Sequence, residues 1–533
     1  MSGLSIKEIK EKKSNNFAFL EQESGTAWLG SSLERIKIPD EIPSPYLTGI
    51  LDEFFETNLI PIVETNRGCP YRCTYCAQGF SSYNKMEFFS TERVKEEIYY
   101  IANRVKNTNI LCFADSNFGI HKRDIELAKY LNQVSIDTGY PRRFTMNWAK
   151  NRPKILEIAK ILTGSSKMVI SLQSLSPTVL ELVKRSNINI DVFTDIMKQI
   201  NEAGGISSTE IILGLPGETY DSHKKTLKQL FDMNISDIIC YNGLVLEGTE
   251  MARQREKYGL KTKFRLTDGC WGIYAGEYCF DAEEGIMSHN MMSNSELLSF
   301  RKVHWLIWLM WNYRFYYDYL KFLQFYDINP LDFIYELIQH LYVSSGKANE
   351  VIQSFDADTQ LEWHNNYIEL YKFYSNADNF KKLQSGVYGG KLNSKYMWSI
   401  LLDAQEDFKN IVLETGLSLC KQKEILTDAD MHHDILLFNE ALTIDFRNDP
   451  ETLGAERTET MNYDIIKWRK DGYAFPLSDY KRDFNVKFYL SEKKLTSLQT
   501  LLRQYLHPVK KVMYRKMCEF MNIEDLQLDI EIL

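Results

Sequence analysis

The sequence has no long apolar run. Its most membrane-like stretch, VHWLIWLMW at 303–311, is bounded by Arg301, Lys302 and Arg314 and is far shorter than the ~20 residues a spanning helix needs. A basic stripe is missing too. There are 63 Lys and Arg against 72 Asp and Glu, a net charge of −9, and no basic run is longer than short ones such as KEKK. That argues against nucleic acid as the main partner. The opening MSGLSIKEIKEKK is polar and charged and does not read as a secretory leader, so a cytoplasmic location is expected. The nine cysteines are odd in number, which suits thiols or metal ligands better than a disulfide framework. No second C-x-x-C pair is present, and no H-x₃₋₅-H; the HH at 432–433 has the wrong spacing for a zinc site. The C-terminal half carries no internal repeat and no low-complexity tract.

What is present is the make-up of an ordinary globular chain, with 44% hydrophobic and 25% charged residues and a high aromatic share of 13%. The length of 533 residues suggests two to four domains at ~150 residues each. Four segments are expected. Residues 1–58 form an extension or linker, with three prolines in IKIPDEIPSPYLTG and a short helix at ILDEFFE. Residues 59–250 alternate apolar β-branched runs with amphipathic ones. The strand candidates are 61–66, 109–115, 143–148, 167–173, 208–214 and 237–243, and the runs between them repeat apolar residues at helical spacing. Repeats of ~30 residues argue for an α/β fold with a parallel sheet, and six units are too few for a closed eight-stranded barrel. Residues 251–295 read as a mixed extension, and 296–533 as a mainly helical C-terminal domain.

The stretch RGCPYRCTYCAQG places Cys69, Cys73 and Cys76 directly after the first strand. Loops at the C-terminal ends of parallel strands carry the site in such folds. Zinc needs a fourth ligand that the neighbourhood does not supply. An iron–sulfur cluster is normally held by four thiolates; three on a cubane leave one iron open to a ligand.

C-x₃-C-x₂-C with aromatic Tyr75 before the last cysteine resembles the signature of radical S-adenosylmethionine (SAM) enzymes. The resemblance implies a partial (β/α)₆ barrel, a 4Fe-4S cluster on the three cysteines, and SAM chelating the open iron. Reductive cleavage of SAM would then give a 5′-deoxyadenosyl radical that takes hydrogen from a small-molecule substrate. The electron would come from a flavodoxin or ferredoxin type of donor, in an oxygen-sensitive enzyme. By the same resemblance Tyr75 lies near the adenine. Asp115, Ser116 and Asn117, in FADSNFG, sit where the methionine amino group binds, although the glycine-rich GGE form is absent. Ser171, Gln173 and Ser174, in SLQS, face the ribose and methionyl parts. Gly214 and Gly217, in EIILGLPGET, let backbone approach the adenine and make a tight turn. Arg185 has two readings, a partner for the SAM carboxylate or a solvated helix-end cation. Glu210, Asn147 and Asn242 lie at strand ends as further SAM or substrate contacts.

IPDEIPSPYLTGILDEFF at 38–55, SLQSLSPTVLELVKRSNI and YAGEYCFDAEEGIMSHNMMSNSEL resemble the subgroup that carries a cobalamin (B12)-binding domain upstream. Such a domain needs more than ~100 residues, and only ~60 precede Cys69. The expectation is that cobalamin is either lost or supplied by a separate subunit, and in the second case the alternative function is that of a cobalamin-dependent radical SAM methyltransferase. A non-catalytic iron–sulfur redox protein is the rival class. Cys270, Cys279, Cys420 and Cys518 are too scattered for a second cluster. Trp305, Trp308 and Trp311, read on one helical face, either pack on the barrel or wall a substrate cavity.

Overall fold

The computed structural model describes residues 18–20, 24–31, 35–80, 84–149, 155–162, 168–202, 205–448, 453, 455–518 and 526–533. The chain forms two compact bodies.

The first body takes residues up to 70 with 80–116 and 126–146. Its sheet has three parallel strands in the order β1 (Ile62–Val63), β2 (Ile110–Phe113) and β3 (Arg143–Thr145). Leu111 and Phe113 of β2 are buried and alternate with half-exposed neighbours, as a period of two demands. Helix α1 (Thr91–Ala102) starts where Ser90 Oγ accepts from Arg93 N, and it buries Val94, Ile98 and Ile101 on one face. The proline-rich linker is tied down. Tyr46 is buried, and its hydroxyl both accepts from Ile62 N and donates to Ile62 O at 2.9 Å, while Asp40 accepts from Ser90 N. The helix read at ILDEFFE is a short 3₁₀ turn, Asp52–Glu56.

The second body takes 71–79, 117–125 and everything from 147 onward. Its parallel sheet has the order β6 (Asp237–Asn242), β5 (Ser207–Leu213), β4 (Met168–Val169), with Ile239 opposite Glu210 and Asn242 opposite Leu213. Six strands thus occupy the six strand candidates. Helix α2 (Ile190–Glu202) buries Phe193, Ile196, Met197 and Ile200. Helix α3 (Tyr220–Asp232) opens with a reciprocal capping box between Thr219 and Ser222. The turn before it needs glycine twice. Gly214 and Gly217 sit at φ +86° and +83°, and a Cβ on Gly217 would stand 2.5 Å from Leu182 Cδ1.

The segment read as a mixed extension is a long antiparallel hairpin, β7 (Lys261–Tyr274) and β8 (Glu277–Ser288), with an irregularity between Leu266 and Trp271. Leu266 and Phe280 from the hairpin join Leu370, Tyr374, Phe380 and Leu383 in one apolar cluster. Helix α4 (Asn294–Leu306) then begins a helical array and loosens into a π-helical segment at Ile307–Asn312. The C-terminal part is mainly helical as expected, but it also holds an antiparallel sheet of β9 (Arg457–Tyr463), β10 (Lys481–Tyr489) and β11 (Asp529–Ile532). Among the described residues no helix is long and apolar enough to cross a membrane.

Candidate active site

The cysteine loop is wound tightly. Cys76 N donates to Cys73 O at 3.1 Å and Gly79 N to Cys76 O at 2.9 Å, and a Cβ on Gly79 would lie 2.4 Å from Cys73 O. Only glycine closes this turn. The loop is held from both sides, since Thr74 N donates to Val183 O and Thr74 O accepts from Met251 N. Cys69 and Cys73 are buried, Cys76 is half-buried, and none of the three forms a disulfide. Among the described residues no three His, Cys, Asp or Glu side chains gather closely enough to hold a single metal ion. A cubane does not ask for that, because each thiolate takes its own iron. The chemistry of the donor set fits such a group: Cys73 and Cys76 lie on one tight turn with a cation beside Cys73, and Cys69 stands four positions before Cys73 in the sequence.

That cation is Arg185, only 6% exposed. Its Nη1 lies 3.9 Å from Cys73 Sγ and donates to Tyr75 OH at 3.1 Å. Nε donates to Leu172 O and to Asn187 Oδ1, and Nη2 donates to Ser171 O. The solvated helix-end reading of Arg185 is therefore wrong; the residue is buried and bonded to the backbone where β4 ends. Asn187 adds donors to Leu172 O and Ser174 O. The SLQS turn is thus organised by Arg185 and Asn187 together. Tyr75 packs against Val179, Val183 and Leu215, and burial, against the pull of Arg185, pushes its phenol above the ordinary value.

The C-terminal ends of β5 and β6 and the turn after β4 floor a cavity of about 550 Å³. Four residues singled out from the sequence line it: Tyr75, Gln173, Glu210 and Asn242. Gln173 takes φ +65°, and its buried Oε1 has no hydrogen-bond partner among the described residues. Glu210 accepts from Ser171 Oγ and, at 3.4 Å, from Tyr241 OH. Ser174 is buried below the floor and accepts from Ser176 N. Gly214 donates its N–H to Glu218 Oε2 at 2.7 Å.

The remaining sequence-predicted residues stand elsewhere. Asp115 in the first body is fully buried and accepts from Thr65 N at 2.7 Å and from Asn66 Nδ2 at 2.9 Å, with Thr65 Oγ1 also bound. Its carboxylate braces the stretch that leads into Cys69. Ser116 follows it, half-buried, and Asn117, fully buried, opens a segment of the second body. There Phe118 N donates to the carbonyl of Asn147, whose side chain is exposed. Cys270 and Cys279 are exposed, and Cys420 is buried; the side chain of Cys518 lies outside the described residues.

Apart from Trp308, most of the cavity wall comes from residues that sequence reasoning missed. Arg265 and Glu283 of the hairpin, Arg301 and His304 of α4, and Glu362 all line it. Four of them form a charge ladder. Glu362 bridges Arg301 at 2.8 Å and Arg265 at 3.4 Å, and Arg265 bridges Glu283 at 2.8 Å. Burial lowers Arg301 from its usual value in spite of Glu362. Burial acts on Arg265 in the same sense, but Glu362 and Glu283 outweigh it and hold that guanidinium above its usual value. Two partners 18 and 97 positions away leave no local signal. The tryptophans divide. Trp305 is fully buried and stacks on Phe355, Trp311 is buried edge-on to Phe231, and Trp308 lines the cavity. The π-helical turn between them breaks the single face that a regular helix would give.

Residues 63–230 match the sequence profile of the Radical SAM superfamily. The cobalamin-dependent radical SAM methyltransferase TokK of Streptomyces tokunonensis is 32% identical over 252 residues, 44% of this chain and 36% of that protein. The 2-(S-pantetheinyl)-carbapenam-3-carboxylate methyltransferase of Streptantibioticus cattleyicolor is 32% identical over 249 residues, again 44% and 36%. The matches thus span about a third of the length of these curated relatives. Among solved structures, the cobalamin-dependent SAM radical enzyme OxsB with aqua-cobalamin and SAM bound is 14% identical, covering 81% of this chain and 65% of that one, with a TM-score of 0.40.

Proposed function

We propose, on the premise that residues 63–230 are a radical SAM domain, that this chain is a radical SAM enzyme acting on a small molecule. Cys69, Cys73 and Cys76 would hold a 4Fe-4S cluster, and SAM would lie along the strand ends beside Tyr75, Gln173 and Glu210. When bound, cluster and SAM supply the 5′-deoxyadenosyl radical that takes a hydrogen atom from substrate. The observation that carries this reading is the continuity of the cysteine loop with the cavity floor: Arg185 links Cys73, Tyr75 and the turn after β4, and Tyr75 lines the cavity.

The chain's own groups have separable tasks. Arg185 places a guanidinium beside Cys73 and orients Tyr75. Gly214 and Gly217 let backbone turn close to a flat ligand. Trp308 and Leu244 give the cavity an apolar wall, the kind of surface that would keep water from a reactive intermediate. A bare iron–sulfur redox protein has no use for a cavity of this size above the loop. A second reading is a cobalamin-dependent methyl transfer with B12 supplied by a separate subunit. It is favoured by the two relatives at 32% identity, both named as methyltransferases.

The test is anaerobic reconstitution with iron and sulfide, reduction with dithionite in the presence of SAM, and quantification of 5′-deoxyadenosine against Cys76→Ala. Product that disappears in the variant supports SAM cleavage at the three cysteines. A response to added hydroxocobalamin favours the second reading. A reconstituted cluster that binds SAM yet forms no 5′-deoxyadenosine, even with a lysate fraction as substrate source, refutes both.

A further inference from the structure

Behind the cavity wall lies a chain of three buried ionisable groups that the SAM reading does not use. Glu218, in the turn between β5 and α3, is fully buried, as is His223 on the first turns of α3. His304 on α4 is 4% exposed and lines the cavity. Glu218 Oε1 lies 2.9 Å from His223 Nδ1, and His223 Nε2 lies 3.0 Å from His304 Nε2. Phe300 packs edge-on against His223 at 4.6 Å and stacks beside His304.

With one proton on each imidazole and none on the carboxylate, the hydrogen-bond pattern sets where the protons sit. Glu218 has two oxygens, and Oε2 accepts from Gly214 N at 2.7 Å. Oε1 accepts the proton on His223 Nδ1. In neutral His223 the Nε2 then carries a lone pair. The facing nitrogen must be a donor, so His304 is protonated on Nε2. Its Nδ1 is left with a lone pair, and that atom hydrogen-bonds to no described residue. The groups that face His304 are Arg301, one turn earlier on α4 and paired to Glu362, and His223 with Glu218 behind it; His289 faces Glu218 from beyond the hairpin. Burial, then His223 and Arg301, keep His304 well below the ordinary imidazole value, consistent with a neutral ring.

We propose that Glu218, His223 and His304 form a proton relay that presents Nδ1 of His304 to the cavity as the general base of the substrate reaction. This deepens the enzyme reading above and rests on the cavity being the substrate site. It implies a substrate that loses a proton as well as a hydrogen atom, such as one with an N–H, O–H or S–H beside the radical centre. In the step, the substrate's X–H bond breaks, its electron pair stays on the substrate, and the proton bonds to His304 Nδ1. The Nε2 proton of His304 passes to His223 Nε2 as the Nδ1 proton of His223 passes to Glu218. One proton moves from substrate to carboxylate, and no electron moves. His304 is the catalytic residue; His223 and Glu218 are positioning residues.

Glu218→Gln inverts the relay. The introduced amide has a single oxygen, which Gly214 N–H retains, so its NH₂ faces His223 and donates to Nδ1. His223 then carries its proton on Nε2 and donates to His304 Nε2, and His304 Nδ1 becomes N–H. Diethyl pyrocarbonate reads this, since it acylates only a nitrogen with a free lone pair. The full chain, purified without oxygen, is treated with the reagent and mapped by mass spectrometry, with exposed His433 as internal reference.

Wild-type His304 is expected to be modified at a rate that changes less than about twofold between pH 7.5 and 5.5. An ordinary imidazole with pKa ≈ 6.5 slows about tenfold over that interval. In Glu218→Gln the His304 rate should fall at least tenfold with His433 unchanged. Wild-type His304 left unmodified, or slowing with pH as an ordinary imidazole does, overturns the proposal; so does a folded Glu218→Gln variant as reactive as wild type. If that variant does not fold, the wild-type pH profile alone decides. The experiment needs neither cluster nor SAM, so its failure leaves the 5′-deoxyadenosine result to stand or fall separately.

Discussion

Replacing Arg185 with methionine tests how the cysteine loop is held. Methionine keeps most of the side-chain length but removes every donor. Leu172 O would keep two donors, Ser174 N at 2.8 Å and Asn187 Nδ2 at 2.8 Å, so that bond is redundant. Ser171 O, Asn187 Oδ1 and Tyr75 OH lose a charged donor. A hydrogen bond to a charged group is worth about 1.5–3 kcal/mol, and a buried acceptor left unmet costs about 1–3 kcal/mol. Ser171 O takes that cost in full. Asn187 and Tyr75 recover part of theirs from water entering the cavity, and the relieved desolvation of the guanidinium returns some more. The expected net loss is about 3–5 kcal/mol, in the range for breaking a buried charged network. Against a total of ~5–15 kcal/mol this shifts the urea midpoint of the anaerobic protein clearly downward, as followed by tryptophan fluorescence. Reconstituted Arg185→Met should also bind less iron, because Tyr75 and Cys73 lose their common anchor. Arg185→Lys should recover part of both, having charge without the planar fork. A methionine variant within ~0.5 kcal/mol of wild type and with full iron loading would refute the anchoring role.

Gly79→Ala places a methyl against the Cys73 carbonyl, a backbone atom that cannot swing away, so iron retained after desalting should drop severalfold while far-ultraviolet circular dichroism stays native. The tryptophans should separate: Trp305→Ala should cost ~3–5 kcal/mol in a denaturant titration, whereas cavity-lining Trp308→Ala costs clearly less; equal losses would contradict the division described above. Mild acid should destabilise the fold through His432, which is buried between Tyr319 OH at 2.8 Å and Thr427 Oγ1 at 2.9 Å and whose pKa burial lowers to about 4. The unfolded chain takes up this proton near 6.5 and the folded one only near 4. The contribution of neutral His432 is therefore complete above pH 6.5 and lost as pH falls toward 4, about 3 kcal/mol in all; urea midpoints at pH 7 and 5 should show about 2 kcal/mol of it, and His432→Gln should flatten the difference.

The parallel strands were legible because each combines a β-branched run with a following amphipathic helix, and the turn after β5 because Gly214, Pro216 and Gly217 punctuate it. The cysteine loop and Tyr75 were visible as a motif. Other features depended on distance in sequence. His304 gains its meaning from His223, 81 positions earlier, and Arg301 from Glu362. The hairpin was hidden by its composition, since much of β7 and β8 is half-exposed and charged and shows no clean alternation. In β10 the signal existed: Phe484, Val486 and Phe488 are buried in strict alternation, and a helical expectation for the region masked it. Arg185 was ambiguous because a cation at a helix end looks the same in sequence whether it turns outward or inward.

The ladder Arg301–Glu362–Arg265–Glu283 sums to zero charge. Its field falls off as that of a multipole and dies away within a few ångströms of the wall. From this part of the cavity, an approaching ligand of either sign feels no long-range pull and arrives by unaided diffusion. Selection begins only on contact, when polar groups of the ligand must match four fixed alternating charges or leave one of them unsolvated. Entry past this wall should then be nearly indifferent to ionic strength, while a misplaced polar atom on the ligand is penalised heavily.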